Sequence, residues 1–258
     1  MQKICVVIPC YNEASRLPVQ EIKRFVAQAK PGIHLLLVND GSTDQTAEVT
    51  ENLSRDFPDR IRTLNLETNS GKAEAVRQGA LFCLSWKEFD GIAYFDADLS
   101  TPLNELSRLQ TVIIQNPDCA FVFGARIKLL GNQVHRNLTR HYFGRVFSTL
   151  ASMILGLPVY DTQCGAKLLR ASLVEVVFSK SFLSRWLFDI EVFARIVCAR
   201  GYAYALGNMR EVPLETWIEK GDSRITFTYL LKVPFELLRI YFNYRPCLRA
   251  ARNKTYES

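Results

Sequence analysis

The feature that most constrains the fold of this chain is a regular alternation of short apolar runs with longer segments of helical length. The apolar runs have the length of buried strands and lie at residues 4–8, 34–38, 61–66, 92–95 and 120–123. The helical segments between them lie at residues 21–29, 43–57, 73–84 and 103–115. This order predicts an α/β fold with a mostly parallel central sheet and helices on both faces.

Composition and length favour one sizeable globular domain with an appended lobe, since 48% of the 258 residues are hydrophobic and 22% are charged. The uncharged run from Val146 to Tyr160 is shorter than the 18 or so residues of a spanning helix. The first apolar run is broken by Pro9, which makes it too short for a secretory signal. We therefore expect a cytoplasmic protein, whose seven cysteines, without a C-x-x-C pair, are reduced thiols.

Charge divides the chain into two halves. Residues 1–123 carry 12 Lys and Arg against 16 Asp and Glu, whereas residues 124–258 carry 20 against 10. An acidic half can hold a cation, and a basic half suits phosphates or an anionic membrane surface. Nucleic acid is not expected as a partner, because the sequence contains no Lys/Arg-rich run and no nucleic-acid-binding module.

Polar motifs follow each of the first four predicted strands, where an α/β sheet binds its ligands. They lie at residues 9–13, 39–44, 69–72 and 96–98. In an extended segment Asp96 and Asp98 point the same way, so both carboxylates can face one Mg²⁺ or Mn²⁺ ion. A solvated turn at this pair, and helix capping by Thr43 and Asp44, are the alternatives. A G-x-G-x-x-G or Walker A sequence does not occur, so a different nucleotide site is needed.

Taken in order, these four motifs resemble those of the inverting family 2 glycosyltransferases, which have the GT-A fold. The later segments 161–167 and 186–191 are similar to the polyprenyl-phosphate branch, including dolichyl-phosphate β-glucosyltransferases and bacterial undecaprenyl-phosphate relatives. The resemblance covers residues 3–217. It implies inverting transfer of a sugar, glucose in particular, from a UDP-sugar to a polyprenyl phosphate.

The resemblance also implies roles for individual residues of the donor site. The implied nucleotide contacts are Pro9, Tyr11, Glu13, Asp40, Lys72, Asp96 and Ala97. Asp40 binds the base and Asp96 lies near the sugar or diphosphate. Asp98 binds the Mg²⁺ or Mn²⁺ ion, with Asp96 as a further candidate ligand. Ser100 stands where mannosyl-transferring relatives often have a metal-binding Gln, and Ala73–Glu74 replaces a more glycine-rich stretch.

For catalysis and the acceptor the resemblance implies two overlapping sets. The catalytic set is Asp96, Asp98, Arg126 and Asp189, and the acceptor-binding set is Arg126, Arg136, Arg140, Asp161 and Gln163. A phosphate acceptor is already anionic at neutral pH, since its second pKa is about 6, so it needs positioning more than deprotonation. Asp189 can therefore orient the acceptor or the sugar. The alternative for Asp189 and Glu191 is a partly exposed helix start.

A polyprenyl acceptor requires contact with a membrane, and two basic amphipathic segments offer it. The first is Val146–Tyr160, and the second has apolar residues at helical spacing: Phe227, Leu230, Leu231, Pro234, Leu237, Leu238 and Tyr241. The alternative for each is packing on the core. We expect peripheral membrane association, aided by a membrane-protein partner or a homo-oligomer. The predicted domains are a GT-A domain (1–217, with nucleotide half 1–125 and acceptor half 126–217) and a C-terminal helix and tail (218–258).

Three other functions remain open at this point. Transfer to a soluble or glycan acceptor is the alternative within the same family. A haloacid-dehalogenase-like phosphatase also has a strand-end D-x-D motif, but that motif normally opens its domain, whereas three strands precede it here. The third is a non-catalytic membrane protein that keeps a UDP-sugar pocket.

Overall fold

A seven-stranded sheet forms the centre of the fold. The computed structural model describes the backbone of residues 3–135, 138–220 and 227–256 and the side chains of residues 3–133, 144–220 and 231–253. The strands in this part of the chain are β1 (Ile4–Cys10), β2 (Ile33–Asp40), β3 (Ile61–Leu66), β4 (Gly91–Phe95), β5 (Phe121–Ala125), β6 (Gln133–His135), β7 (Ala166–Arg170), β8 (Met209–Pro213) and β9 (Thr216–Ile218). The large sheet has the order β3-β2-β1-β4-β7-β5-β8, and β6 pairs with β9 in a small second sheet.

The helices lie on both faces of the large sheet. They are α1 (Val19–Gln28), α2 (Thr46–Asp56), α3 (Lys72–Ser85), α4 (Glu105–Gln115), α5 (Leu138–Leu155), α6 (Ala171–Phe178), α7 (Phe188–Arg200), α8 (Tyr202–Asn208) and α9 (Phe227–Tyr256). Because helices cover both faces, the central strands are buried on both sides and consist of nearly continuous apolar residues. The predicted α/β class with a mostly parallel sheet is confirmed.

The order of pairing places β7 between β4 and β5. This strand runs antiparallel to both neighbours, whereas the other pairs of the large sheet are parallel. In its register Phe95, the last residue of β4, lies opposite Ala166, the first residue of β7. The segment that precedes β7 therefore meets the end of β4, where the Asp96–Asp98 motif begins.

All five predicted strands and all four predicted helices of the first half are present, with ends that differ by a few residues. Strands β7 and β8 were not predicted as strands. Each contains charged residues, such as Lys167 in β7 and Glu211 in β8, that interrupt the apolar pattern. Inside the protein Lys167 pairs with Asp189, and Glu211 accepts two backbone N–H groups, so neither position follows the apolar pattern of a buried strand.

The last helix packs on other helices of the second half of the chain. Helix α9 contacts α5, α7 and α8, and it continues through Pro234 and Pro246. A disulfide joins Cys198 of α7 to Cys247 of α9. The expectation of seven reduced thiols is therefore wrong for this pair, because the fold brings together two helices that are distant in sequence. The other five cysteines are free and buried, as expected.

No helix in the described part of the chain combines the length and the hydrophobicity that crossing a bilayer requires.

Close packing of α3 on the sheet depends on Gly79. A Cβ atom added there would lie 2.6 Å from Cγ1 of Val7 and 2.8 Å from Cγ2 of Val38. These are core atoms of β1 and β2, so they have little room to move. A larger side chain at Gly79 would push the helix off the sheet.

We predict that Gly79→Ala lowers the free energy of unfolding by about 1–3 kcal/mol, because overpacking outweighs the helix propensity of Ala. The matched control is Gly207→Ala in α8, where an added Cβ meets nothing within 4 Å. This control should be neutral or stabilising by up to about 1 kcal/mol. Urea denaturation measures both, and equal effects of the two variants would contradict the packing argument.

Candidate active site

The loops after β1 and β2 are tied together by short hydrogen bonds. The Asn12 N–H donates to Oγ of Ser42 (3.0 Å), and Oδ1 of Asn12 accepts the Thr43 N–H (2.8 Å). The Glu13 N–H donates to Oγ1 of Thr46 (2.7 Å). Asn12 adopts a left-handed conformation, with φ of 47°, that allows this crossing. The two loops therefore form one rigid edge of the site.

Asp44 caps free backbone N–H groups of these two loops. Its carboxylate accepts the N–H groups of Thr46 (3.0 Å) and Ala14 (3.1 Å). Although burial raises the pKa of Asp44, these hydrogen bonds outweigh it and hold the pKa below its ordinary value. The capping alternative from the sequence thus describes the local role of Asp44.

Asp40, at the end of β2, holds the loop before α3. Its Oδ1 accepts the Ser70 N–H and its Oδ2 accepts the Gly71 N–H, both at 2.8 Å. Gly41 follows with φ of 61°, and an added Cβ would lie 2.5 Å from the Asn69 nitrogen. The loop 69–71 therefore has a fixed position, which sets where Lys72 begins α3. Binding of a base by Asp40 stays a prediction.

The other predicted nucleotide contacts lie along the same edge of the sheet. Pro9 is opposite Val38 in the β1–β2 pair, and Tyr11 and Glu13 follow directly. Tyr11 is half-buried, and Glu13 and Ala97 are buried. Because β4 pairs with β1, Ala97 lies on the neighbouring loop. The fold thus brings the predicted nucleotide residues to one sheet edge.

An ion pair joins α3 to the end of β4. Nζ of Lys72 lies 2.5 Å from Oδ1 of Asp96. Burial alone would raise the pKa of Asp96, but Lys72, Lys167 and Arg126 outweigh it and hold the pKa below its ordinary value. For Lys72 burial acts to lower the pKa, and Asp96, Asp189 and Asp98 raise it overall. Both groups are therefore charged at neutral pH.

Asp96 and Asp98 lie in a turn, not in the extended segment that the sequence analysis assumed. The Leu99 N–H donates to the Asp96 carbonyl (3.1 Å), and Leu99 has a φ of 48°. Oδ1 of Asp98 accepts the Ser100 N–H (2.8 Å). The prediction of an extended segment at residues 96–98 is therefore wrong. Both carboxylates nevertheless lie near the Lys72 ammonium and act on its charge.

The donor set of this turn fits a hard divalent cation that shares its coordination with a ligand. In the described part of the chain, no cluster of three or more His, Cys, Asp or Glu side chains could hold a metal ion. Asp96 and Asp98 supply two carboxylates, and Mg²⁺ is commonly bound by one or two carboxylates together with substrate phosphates. The residues present are therefore compatible with a metal that binds together with a diphosphate.

Asp189 is the centre of a buried polar network, not an exposed helix start. It lies in the first turn of α7, and its Oδ1 accepts the Tyr94 hydroxyl (2.7 Å) and Nζ of Lys167 (2.9 Å). Lys167 is fully buried and also donates to the Cys164 carbonyl (2.5 Å). Burial and the nearby Asp189 raise the pKa of Tyr94 well above its ordinary value, so its hydroxyl keeps the proton that it donates. This network fixes the orientation of Asp189.

Glu191, two residues further along α7, has a structural role. It is fully buried and accepts the N–H groups of Leu183 (2.9 Å) and Ser184 (3.0 Å). It also accepts the Tyr244 hydroxyl of α9 (3.0 Å). Glu191 therefore fastens α9 to the loop before α7, and the exposed alternative is wrong for it as well.

The predicted acceptor residues form a second ion-paired group next to β7. Nε of Arg126 lies 2.7 Å from Oδ2 of Asp161, and Nη2 lies 2.9 Å from Oδ1. Burial would lower the pKa of Arg126, but Asp161 raises it. Asp161 also accepts the Gln163 N–H (3.1 Å), and its own N–H donates to Glu211 (2.7 Å). Asp161 thus positions the Arg126 guanidinium.

Gln163 carries a buried donor without a partner among the described residues. Its Nε2 atom is shielded from solvent and makes no hydrogen bond there. An unpaired buried amide is costly, which indicates a group that a ligand would satisfy. Arg136 lies outside the described residues. The side chain of Arg140 also lies outside them.

Three residues of the site were missed by the sequence analysis: Tyr94, Lys167 and Glu211. Tyr94 and Lys167 orient Asp189, and Glu211 orients Asp161. The available signal was a polar side chain inside an otherwise apolar strand. A buried lysine almost always has a partner, so Lys167 in β7 predicts a buried carboxylate nearby.

We predict that Lys167→Met lowers the free energy of unfolding by about 3–5 kcal/mol, because it leaves Asp189 buried without its counterion. The control is Lys220→Met, which removes an exposed pair with Glu21 and should cost less than about 1 kcal/mol. Urea denaturation of the two variants compares them. A loss in Lys167→Met no larger than in the control would contradict the buried-pair interpretation.

Residues 5–178 match the family model described as Glycosyl transferase family 2. The chain is 31% identical, over 96% of its length and 73% of the relative, to a dolichyl-phosphate beta-glucosyltransferase of Trichomonas vaginalis. It is 28% identical, over 92% of its length and 86% of the relative, to the polyprenol monophosphomannose synthase of Mycolicibacterium smegmatis.

Solved structures show the same fold. Glucosyl-3-phosphoglycerate synthase of Mycobacterium tuberculosis, solved with UDP, superposes with a TM-score of 0.67 at 17% identity, covering 93% of this chain and 80% of that one. Mannosyl-3-phosphoglycerate synthase of Rubrobacter xylanophilus gives a TM-score of 0.69 at 17% identity, covering 99% and 75%. These are GT-A glycosyltransferases. The family match and the shared fold establish that the chain belongs to glycosyl transferase family 2 and is a glycosyltransferase with the GT-A fold.

Proposed function

We propose that this enzyme transfers a hexose, glucose in particular, from a UDP-sugar to a polyprenyl phosphate at the cytoplasmic face of a membrane. The observation that carries the proposal is the similarity to dolichyl-phosphate beta-glucosyltransferases, which extends over 96% of the chain and so includes the acceptor half. Relatives of this name from Dictyostelium discoideum and Drosophila melanogaster are 26% and 27% identical. Dolichyl and undecaprenyl phosphates are the acceptors to test first.

The donor half supports a nucleoside diphosphate sugar. The nucleotide would lie along the edge formed by Pro9, Tyr11, Glu13, Asp40 and Ala97. Its diphosphate would then reach the Lys72–Asp96 pair, where positive and negative groups stand side by side. Solved structures of the same fold contain UDP with Mn²⁺ or Mg²⁺. This supports a divalent metal held by Asp98 together with Asp96.

The chemistry assigns a distinct task to each side chain. When bound, the divalent cation would stabilise negative charge on the leaving diphosphate. Lys72 adds a second positive charge at the same place. Asp189, held by Tyr94 and Lys167 through one oxygen, can direct its other oxygen toward the sugar or the acceptor. Proton removal is not required, because the acceptor phosphate attacks as an anion.

The acceptor phosphate would bind between the Arg126 guanidinium and the loop before β7. Arg126 is oriented by Asp161, and the unsatisfied amide of Gln163 points to a missing hydrogen-bond acceptor such as a phosphate or sugar oxygen. Since Gly165 of this loop contacts Asp96, the donor and acceptor regions adjoin. Direct displacement with inversion needs this adjacency.

An exposed apolar surface supports attachment to a membrane. On α9, four large apolar side chains at helical spacing are 52–73% exposed: Leu231, Phe235, Leu238 and Phe242. On α5, which contacts α9, three more are exposed: Val146, Leu150 and Met153. Basic residues flank the stripe on α9: Lys232, Arg239 and Arg245. A helix of this kind suits the interface of an anionic bilayer.

The predicted membrane residues on α9 divide between this surface and the core. Leu231, Pro234 and Leu238 are exposed, and Tyr241 is half-buried. Leu237 is buried in the core, so its predicted membrane contact is wrong, because the opposite face of α9 packs on the enzyme. The side chains of Phe227 and Leu230 lie outside the described residues.

We predict that purified enzyme transfers radiolabelled glucose from UDP-glucose into organic-extractable lipid when polyprenyl phosphate and Mg²⁺ or Mn²⁺ are present. Asp98→Asn should lower this rate about a hundredfold or more, since an electrostatic contact to the reacting groups is lost. The control is Asp118→Asn, which replaces an exposed carboxylate in the loop before β5 and should keep full activity. GDP-mannose and soluble 3-phosphoglycerate are tested alongside. Label in the soluble product alone would overturn the lipid-acceptor proposal.

For the membrane surface we predict an effect of the double variant Phe235→Glu with Phe242→Glu. Its co-sedimentation with phosphatidylcholine–phosphatidylglycerol vesicles should fall about tenfold or more, because two apolar side chains no longer enter the bilayer. Ile114→Glu on α4, also an exposed apolar residue, is the control and should bind normally. Binding should weaken as salt rises, since anionic lipid attracts the basic residues. Unchanged binding by the double variant would refute this surface.

A further inference from the structure

We propose that Lys72 is an internal counterion that competes with the divalent cation for Asp96, and that the donor diphosphate ends this competition by drawing the Lys72 ammonium away. Cation and nucleotide would then bind cooperatively, with Lys72 as the coupling residue. The inference rests on the proposed function, because it takes Asp96 and Asp98 as the place where a cation and a diphosphate meet.

The first observation is the position of the Lys72 ammonium. It lies 2.5 Å from Oδ1 of Asp96, at the distance of a direct ion pair, and only 22% of the side chain is exposed. The ammonium therefore occupies the position from which a cation would approach that oxygen. A second positive charge cannot bind the same oxygen while Lys72 remains there.

The second observation is that the carboxylate of Asp96 cannot easily turn away. The Asp96 N–H donates to the Gly165 carbonyl (3.2 Å). A Cβ atom at Gly165 would lie within 2.2 Å of Oδ2, so the carboxylate rests directly on the backbone of that residue. Asp96 is thus confined on one side by Gly165 and on the other by Lys72.

The third observation is that the backbone just before Lys72 is held by a hydrogen bond, whereas the Lys72 side chain is long and flexible. The preceding Gly71 N–H is held by Asp40, which fixes the start of α3. Beyond this point the side chain is a flexible four-carbon stem with a compact charge at its end. Lys72 can therefore shift its ammonium to a diphosphate without any change of the backbone.

The charges of the three carboxylates explain why this competition affects cation binding. In the described structure Asp96 is neutralised by Lys72 and Asp189 by Lys167. Asp98 forms no ion pair with a described residue. A cation that arrives alone therefore meets one uncompensated carboxylate. Once a diphosphate holds Lys72, both Asp96 and Asp98 are available, and the cation also gains phosphate oxygens.

The test is a direct measurement of Mn²⁺ binding by electron paramagnetic resonance of the free ion, with and without UDP. In the wild-type protein UDP should raise the Mn²⁺ affinity about tenfold or more, within the usual range of coupling between sites. Without UDP, Lys72→Met should bind Mn²⁺ about tenfold more tightly than the wild type, and UDP should add less.

The control distinguishes the effect of the Lys72–Asp96 contact from the general effect of removing the Lys72 charge. In an Asp96→Asn background, Lys72→Met should raise the Mn²⁺ affinity clearly less than in the wild-type background, because the direct contact with Asp96 is absent and only the effect of the charge on Asp98 remains. An equal gain in both backgrounds would overturn the proposal, as would an unchanged or weaker Mn²⁺ affinity in Lys72→Met alone. Circular dichroism verifies folding, and Lys72→Gln replaces any variant that does not fold.

The wild-type protein also provides a test that needs no variant. If UDP leaves the Mn²⁺ affinity unchanged although both ligands bind, the coupling does not exist and the proposal falls. Failure of the proposed function looks different, since it shows as no lipid product from any donor. The two failures can therefore be told apart.

Discussion

The site depends on one close contact, between the backbone of Gly165 and the carboxylate of Asp96. It exists because β7 runs antiparallel between β4 and β5, so the segment before β7 arrives where β4 ends. A side chain at residue 165 would collide with Asp96. This contact places the loop before β7, which contains Gln163, against the turn that carries Asp96 and Asp98. The proposed donor and acceptor regions therefore meet at one carboxylate.

Around this contact the protein balances charges in pairs. Lys72 faces Asp96, Lys167 faces Asp189, and Arg126 faces Asp161. Each pair joins two segments that are distant in sequence. The pairs therefore hold the site residues in position and also set the charge of the site. A buried pair needs both partners, since either alone would be an uncompensated charge. Lys72 and Asp96 form a half-buried pair, and this is the pair that we propose ligands rearrange. The pair of Lys167 with Asp189 is buried, so it is expected to stay closed.

The sequence predicted the first half of the fold because parallel strands buried on both faces consist of apolar runs. It did not predict β7 and β8, whose Lys167 and Glu211 interrupt that pattern. The motifs after the strands were placed correctly at one sheet edge, although Asp96 and Asp98 lie in a turn. The pairing of Lys167 with Asp189, and the disulfide of α7 with α9, depend on the tertiary arrangement. A single sequence gives no spacing rule for such contacts.

The most direct test of this account is a crystal structure of the enzyme with UDP and Mn²⁺. The account predicts that the diphosphate lies beside Lys72 and that Mn²⁺ is bound by Asp98 and Asp96. It also predicts that Nζ of Lys72 has left Asp96 for a phosphate oxygen, while Lys167 still contacts Asp189. A nucleotide bound away from this sheet edge, or a Lys72–Asp96 pair that stays closed with both ligands present, would contradict it.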